Sequence, residues 1–184
     1  MTVTELAIPG VLLLTPRRFH DSRGWFFESW HGERYAALGI GAPFVQDNVS
    51  VSQRGVLRGL HFQQPHSQGK LVSVLQGAVF DVAVDVRIRS PTFGQWIGVE
   101  LSDADGRQLW VPPGFAHGFV VLSERATFAY KCTDYYTPSA ERSVRWDDPA
   151  LGIDWPEPSP VLSDKDATAP TLAELPPELL PPYL

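Results

Sequence analysis

Apolar and polar positions along this chain recur mostly with the two-residue period of extended strands. The stretch VSVLQGAVFDVAVDVRI (residues 72–88) shows it best. Val79, Phe80, Val82, Val84 and Val86 favour strands; Val82, Val84 and Val86 share one face, with Asp81, Asp85 and Arg87 on the other. WIGVELS, QLWVP, GFVVLS and ATFAYKCTDYY repeat the pattern between Gly, Pro, Asn and Asp punctuation. Helical periodicity is scarce. The best candidate is GERYAALGI, Gly32 to Ile40, ended by Gly39 or Gly41. Short strands at this spacing predict an all-β sandwich or barrel of jelly-roll form. The last 29 residues carry eight of the 17 prolines and cannot supply a central strand. They read as a wrapping tail with a short helical turn near TLAEL, so residues 1–184 form one domain.

Composition narrows the function classes. A chain of 184 residues with 43% hydrophobic content can bury a sizeable core. The net charge of −6, with both signs interspersed, argues against a nucleic-acid binder but leaves room for a small cationic pocket for a phosphorylated ligand. The one cysteine, Cys132, excludes an internal disulfide and fits a reducing compartment. It reads as a small buried apolar residue. The apolar run near the start is only four residues, Val11 to Leu14, and no stretch is long enough to span a membrane. The expectation is a soluble cytoplasmic protein.

Two motifs carry the chemistry. VPPGFAHGF contains Pro112-x-Gly114-x-x-His117, which resembles the second signature of cupin barrels. GVLRGLH, Gly55 to His61, resembles the start of the first. A metal-binding cupin would continue with a second histidine and a glutamate. Here Gln63 stands at the histidine position and Gln68 or Lys70 near the glutamate position. Two imidazoles beside an ammonium make a poor site for a divalent ion. The expectation is a barrel without a catalytic metal or cofactor. His61 by itself reads as a core histidine, but Arg58 lies three residues before it. On a regular strand the two would point to opposite faces, and the intervening Gly59 allows a bulge that could re-aim one of them. His66 and His20 read as surface residues, and Trp96, Trp110, Trp146 and Trp155 as packing.

Six blocks, in order, FHDSRGWFFESW, QDNVSVSQRGVLRGLHFQ, QGKLVSVLQGAVFDVAVDVR, SPTFGQW, VPPGFAHGFVVLSE and LSDKD, resemble the dTDP-4-dehydrorhamnose 3,5-epimerase family, from about Ile8 to Pro170. The resemblance implies a metal-independent cupin acting on a nucleotide-linked 4-keto-6-deoxy sugar, and a homodimer whose N-terminal segment crosses to the partner. It assigns His61 as base, Asp166 as the carboxylate that orients it, Tyr130 as proton donor on the opposite face and Lys70 as the cation holding the enolate. It places Arg23 and Arg58 on phosphate, Gln46 and Asn48 as polar ligand contacts, and Phe26 and Glu28 on the nucleoside. Tyr136 and Lys165 are further contacts, and His117 supports the site or touches the sugar. The chemistry agrees with these types: a histidine of pKa about 6.5 is largely neutral yet basic near pH 7, and arginine's planar fork suits phosphate oxygens. Two alternatives stay open: an epimerase inverting C3 or C5 alone, and a non-catalytic cupin that binds a sugar nucleotide.

Overall fold

The computed structural model describes residues 1–183. In chain order the strands are β1 (Thr2–Glu5), β2 (Leu12–Thr15), β3 (Phe19–Asp21), β4 (Gly24–Phe26), β5 (Gln46–Gln53), β6 (Leu57–Gln63), β7 (Lys70–Gln76), β8 (Ala78–Asp85), β9 (Trp96–Ser102), β10 (Gln108–Val111), β11 (Phe115–Val121), β12 (Arg125–Cys132) and β13 (Glu141–Ser143), with helices α1 (Gly32–Ala36) and α2 (Asp164–Ala167). One sheet has six strands ordered β1-β2-β10-β7-β12-β5, the other five ordered β13-β6-β11-β8-β9. The β3–β4 hairpin pairs only with itself. The 72–88 stretch divides at Gly77, and its halves join different sheets.

The sheets close face to face on an apolar core. Val72, Val74, Leu109, Val111 and Phe128 of the six-stranded sheet meet Val79, Ile97, Leu101, Phe115 and Phe119 of the other. This is the two-sheet all-β sandwich that the alternation predicts. Val82, Val84 and Val86 do share a face, but the opposite face of β8 is not a solvent face. Asp81 and Asp85 are both fully buried. Asp85 accepts hydrogen bonds from Arg87 Nε (2.9 Å), Ser90 Oγ (2.6 Å) and Thr92 Oγ1 (2.6 Å), so its charge is met locally.

The C-terminal segment lies against the five-stranded sheet. Leu151, Leu172 and Leu180 cover Val82, Val84 and Val86 on the outside of the five-stranded sheet. Val161 bridges Val56, and Pro182 bridges Ile88. The helical turn near TLAEL is a 3-10 turn, Leu172–Glu174, closed by a reciprocal Thr171–Glu174 capping box. Helix α1 is shorter than Gly32 to Ile40. It stops at Ala36, and the N–H groups of Gly39 and Ile40 return to the carbonyls of Ala36 and Tyr35. Helix α2 has no periodic signal; Ser163 starts it by accepting from the Asp166 N–H at 3.2 Å.

One close approach shapes the site. His117 pairs with His61 and Phe119 with Arg58, so β6 carries one more residue than β11 over this span. The extra residue is accommodated at Gly59, whose φ is +137°. A Cβ there would stand 2.5 Å from Gly118 Cα and 3.0 Å from the His117 carbonyl oxygen, both backbone atoms that cannot swing away. Gly59→Ala is therefore expected to destabilise the fold by about 2–4 kcal/mol, a fall in Tm of roughly 5–15 °C. Scanning calorimetry checks this, and an unchanged Tm shows that β6 can rearrange freely.

Candidate active site

The bulge does what the spacing of Arg58 and His61 requires. Both side chains line one cavity of about 420 Å³, together with Lys70, His117, Tyr130, Lys165 and Asp166. β6 and β11 of one sheet supply Arg58, His61 and His117, while β7 and β12 of the other supply Lys70 and Tyr130. The tail closes the cavity, with Val161 to Ser163 on its wall and α2 bringing Lys165 and Asp166.

His61 Nε2 lies 2.6 Å from Asp166 Oδ1. The Asp166 side chain is only 4% exposed. Burial opposes its charge, but the hydrogen bond from His61, with hydrogen bonds from Ser163 and the Gly59 N–H, holds its carboxyl below the usual range. An ionised carboxylate accepts, so Nε2 carries the hydrogen and Nδ1 keeps the lone pair. A second histidine–carboxylate pair stands nearby. His117 Nε2 is 2.9 and 3.0 Å from the two oxygens of Asp81, and both residues are buried. Sequence reading missed Asp81, although a carboxylate inside the apolar run VFDVAV was a signal, because a buried charge needs a partner.

Lys70 is buried, not a solvated strand end. Burial pushes its ammonium below the usual lysine range, against the favourable fields of Cys132, Asp81 and Glu141. Its Nζ reaches the His61 carbonyl at 3.4 Å. Cys132 is buried, as read, and is the direct cross-strand partner of Lys70. Tyr130 is partly buried, and burial raises its phenol, which keeps the proton on oxygen at neutral pH.

A second cavity, about 250 Å³, shares His61, Lys70 and Tyr130 and adds Gln46, Asn48, Gln63, Tyr136 and Glu141. Gln46 and Asn48 lie on one face of β5, as their spacing predicts, and Gln46 Nε2 donates to Asn48 Oδ1 at 3.1 Å. Glu141 was not singled out from sequence. It accepts from Lys165 Nζ at 2.8 Å and from the Tyr136 hydroxyl at 3.2 Å, tying two predicted contacts together. Nothing in SAERS marks it; register does, because β13 pairs with the His61 strand.

Three predicted residues stay outside the cavity of their own chain. Arg23 sits on the β3–β4 turn with its guanidinium on Asp21, Phe26 is exposed, and Glu28 pairs with Arg34 at 2.6 Å. Gln63, at the position of a second metal histidine, spends its amide on the backbone of His66, Tyr135 and Thr137. Among the described residues no three His, Cys, Asp or Glu side chains converge as metal ligands. His20 and His66 are exposed, as read. Trp110 is buried with Leu14, Tyr35 and Leu71, while Trp96 and Trp155 pack against the separate cluster of Val82, Val84 and Val86 and donate to the carbonyls of Leu151 and Trp146. No helix among the described residues is long and apolar enough to cross a membrane.

Comparison with known proteins agrees with this geometry. The family model for dTDP-4-dehydrorhamnose 3,5-epimerase matches residues 5–174. The dTDP-4-dehydrorhamnose 3,5-epimerase of Salmonella typhimurium is 58% identical over 175 residues, covering 94% of this chain and 96% of that protein. The enzyme of the same name from Pseudomonas aeruginosa is 56% identical over 176 residues, covering 95% and 97%. Among solved structures, a dTDP-6-deoxy-D-glucose-3,5-epimerase from Legionella pneumophila, in complex with dTDP-4-keto-L-rhamnose, superimposes with a TM-score of 0.97 at 55% identity, covering 100% of this chain and 98% of that one. The expectation of a cupin barrel holds on that likeness. The chain belongs to the dTDP-4-dehydrorhamnose 3,5-epimerase family and is a nucleotide-sugar 3,5-epimerase, an isomerase.

Proposed function

We propose that His61, Asp166, Lys70 and Tyr130 carry out both inversions in one cavity, converting dTDP-4-dehydro-6-deoxy-D-glucose to dTDP-4-dehydro-L-rhamnose. The observation that carries the reading is the 2.6 Å His61–Asp166 pair sharing a cavity with a buried lysine and a tyrosine. The C4 ketone acidifies the hydrogens on C3 and C5, since loss of either gives a delocalised enolate. His61 Nδ1 takes the proton, and the Asp166 carboxylate stabilises the imidazolium that forms. The Lys70 ammonium holds the negative charge developing on O4, with His117 beside it. The Tyr130 hydroxyl returns a proton to the opposite face, and exchange with solvent resets both groups. Arg58, held by Ser52 Oγ at 3.1 Å, grips the diphosphate. Gln46, Asn48, Tyr136, Glu141 and Lys165 bind the sugar hydroxyls.

The same reading makes the protein a homodimer. Phe19, Trp25 and Phe26 are exposed on a hairpin that pairs with no other strand, and Val49 and Val51 are exposed on the outer face of β5. The hairpin then delivers Arg23, Phe26 and Glu28 to the nucleotide in the partner's cavity.

Proton NMR in D2O tests the chemistry, with purified protein, the 4-keto-6-deoxyglucose nucleotide and EDTA. Deuterium at both C3 and C5, with an L-sugar after reduction of the ketone, is expected. Deuterium at C3 alone would make the protein a mono-epimerase. Tyr130→Phe is expected to lower inversion at C5 by about 10²-fold while deuterium still enters that position, because deprotonation does not need the phenol. Equal loss of exchange and inversion removes Tyr130 from the donor role.

A further inference from the structure

We propose that Arg18 is a positioning residue that sets the angle at which the β3–β4 hairpin leaves the barrel, and thereby the reach of Arg23 into the partner's cavity. The proposal rests on the crossing-hairpin reading above. Arg18 lies in the short link between β2 and the hairpin. Its Nη1 and Nη2 donate to the carbonyls of Ala104 (2.8 Å) and Asp103 (2.6 Å), in the turn between β9 and β10. Its guanidinium also lies over the rings of Trp25, at 4.2 Å, and Phe27, at 5.3 Å. One planar cation therefore joins the barrel on one side to the hairpin's aromatic strand on the other.

The turn that receives it is built as an anchor. The Asp103 N–H bonds the Gly77 carbonyl and the Gly106 N–H the Ser102 carbonyl, both at 3.1 Å. Arg107 ties the same turn to Asp105 and to the Glu100 carbonyl. Gly106 has φ +64°, and a Cβ on it would stand 2.8 Å from Arg18 Nε and 2.9 Å from Cζ. The space above that glycine is the guanidinium's seat. At the other end, the hairpin tip is stiffened by Arg23 on Asp21. A rigid tip on a two-stranded hairpin is placed by its base. Three residues of strand put the tip about 10 Å from that base, so a tilt of roughly 20° moves Arg23 by roughly 3–4 Å, more than a phosphate contact tolerates.

Steady-state kinetics of the full-length protein with the 4-keto sugar nucleotide test this, using Arg18→Ala, Arg23→Ala and the double variant. Arg18→Ala is expected to raise KM about three- to tenfold with kcat within about two-fold of the parent. The double variant is expected to match Arg23→Ala, since Arg18 acts through Arg23. Arg18→Lys restores only part of the loss, because an ammonium cannot both stack and donate in parallel. Gly106→Ala, which keeps Arg18 but fills its seat, reproduces Arg18→Ala, and these two variants carry the test if Arg18→Ala does not fold. Light scattering is expected to give the parent's mass throughout. An Arg18→Ala KM within about two-fold of the parent, beside a raised Arg23→Ala KM, overturns the positioning role and leaves the crossing hairpin standing. Additive effects in the double variant overturn it as well. An Arg23→Ala KM equal to the parent's removes the crossing-hairpin reading and this proposal with it.

Discussion

His61→Ala is expected to lower turnover on the order of 10³-fold or more, and to abolish deuterium exchange at C3 and C5 alike. Both carbons are affected because His61 is the more accessible imidazole of the cavity, its side chain 26% exposed against 7% for His117, with Nε2 backed by Asp166. The other histidine, His117, is bound by both oxygens of a fully buried aspartate and cannot simply take over. Binding of dTDP, followed by calorimetry, is expected to stay within about two-fold, since Arg58 is held by Ser52 and not by His61. Exchange at either carbon persisting at more than about a tenth of the parent rate would take His61 out of the base role. A second readout separates the dyad from a structural histidine. The depressed native pKa of Asp166 contributes stability that is present above its unfolded value, about 3.9, and is lost as pH falls through the lower native one. In His61→Ala that contribution shrinks, so the acid limb of the stability profile becomes shallower.

The strands were legible because their alternation is local. The two-sheet sandwich follows from two-residue periods. The site was legible in types but not in contacts. Arg58 and His61 converge only because Gly59 lets β6 carry an extra residue, which the spacing allows but does not demand. Asp166 reaches His61 from 105 residues away on a four-residue helix without periodicity, and only the family resemblance pointed to it. Glu141 and Asp81 were missed, and Lys70 was not placed opposite Cys132, for one reason. The partners of these residues lie across strands, and register is fixed by the assembled sheets and not by any window of sequence. Arg23 and Glu28 lie outside their own chain's cavity, and only the family resemblance connected them with it.

Lys70→Met separates the needs of the reaction from those of the fold. Turnover is expected to fall by about 10²–10³-fold, because on the proposed reading the ammonium meets the charge on O4 from a buried position. Unlike Tyr130→Phe, this variant is expected to lose deuterium exchange together with inversion, since the enolate itself is no longer held. The same substitution is expected to stabilise the protein. Lys70 is buried, and burial pushes its pKa down despite the fields of Cys132, Asp81 and Glu141. The unfolded chain therefore binds that proton more tightly than the native one. Stability is lost as pH falls from above the unfolded value, about 10.4, through the depressed native value, below which the native state carries the full penalty. Methionine matches the side chain's length without the charge. Asp81 loses one favourable field but keeps His117. A gain of about 1–2 kcal/mol, or roughly 2–6 °C in Tm, is expected by calorimetry. A variant that is less stable yet nearly as active would make Lys70 a structural lysine. One that is more stable and inactive would mean that the fold tolerates a buried cation for the sake of the enolate.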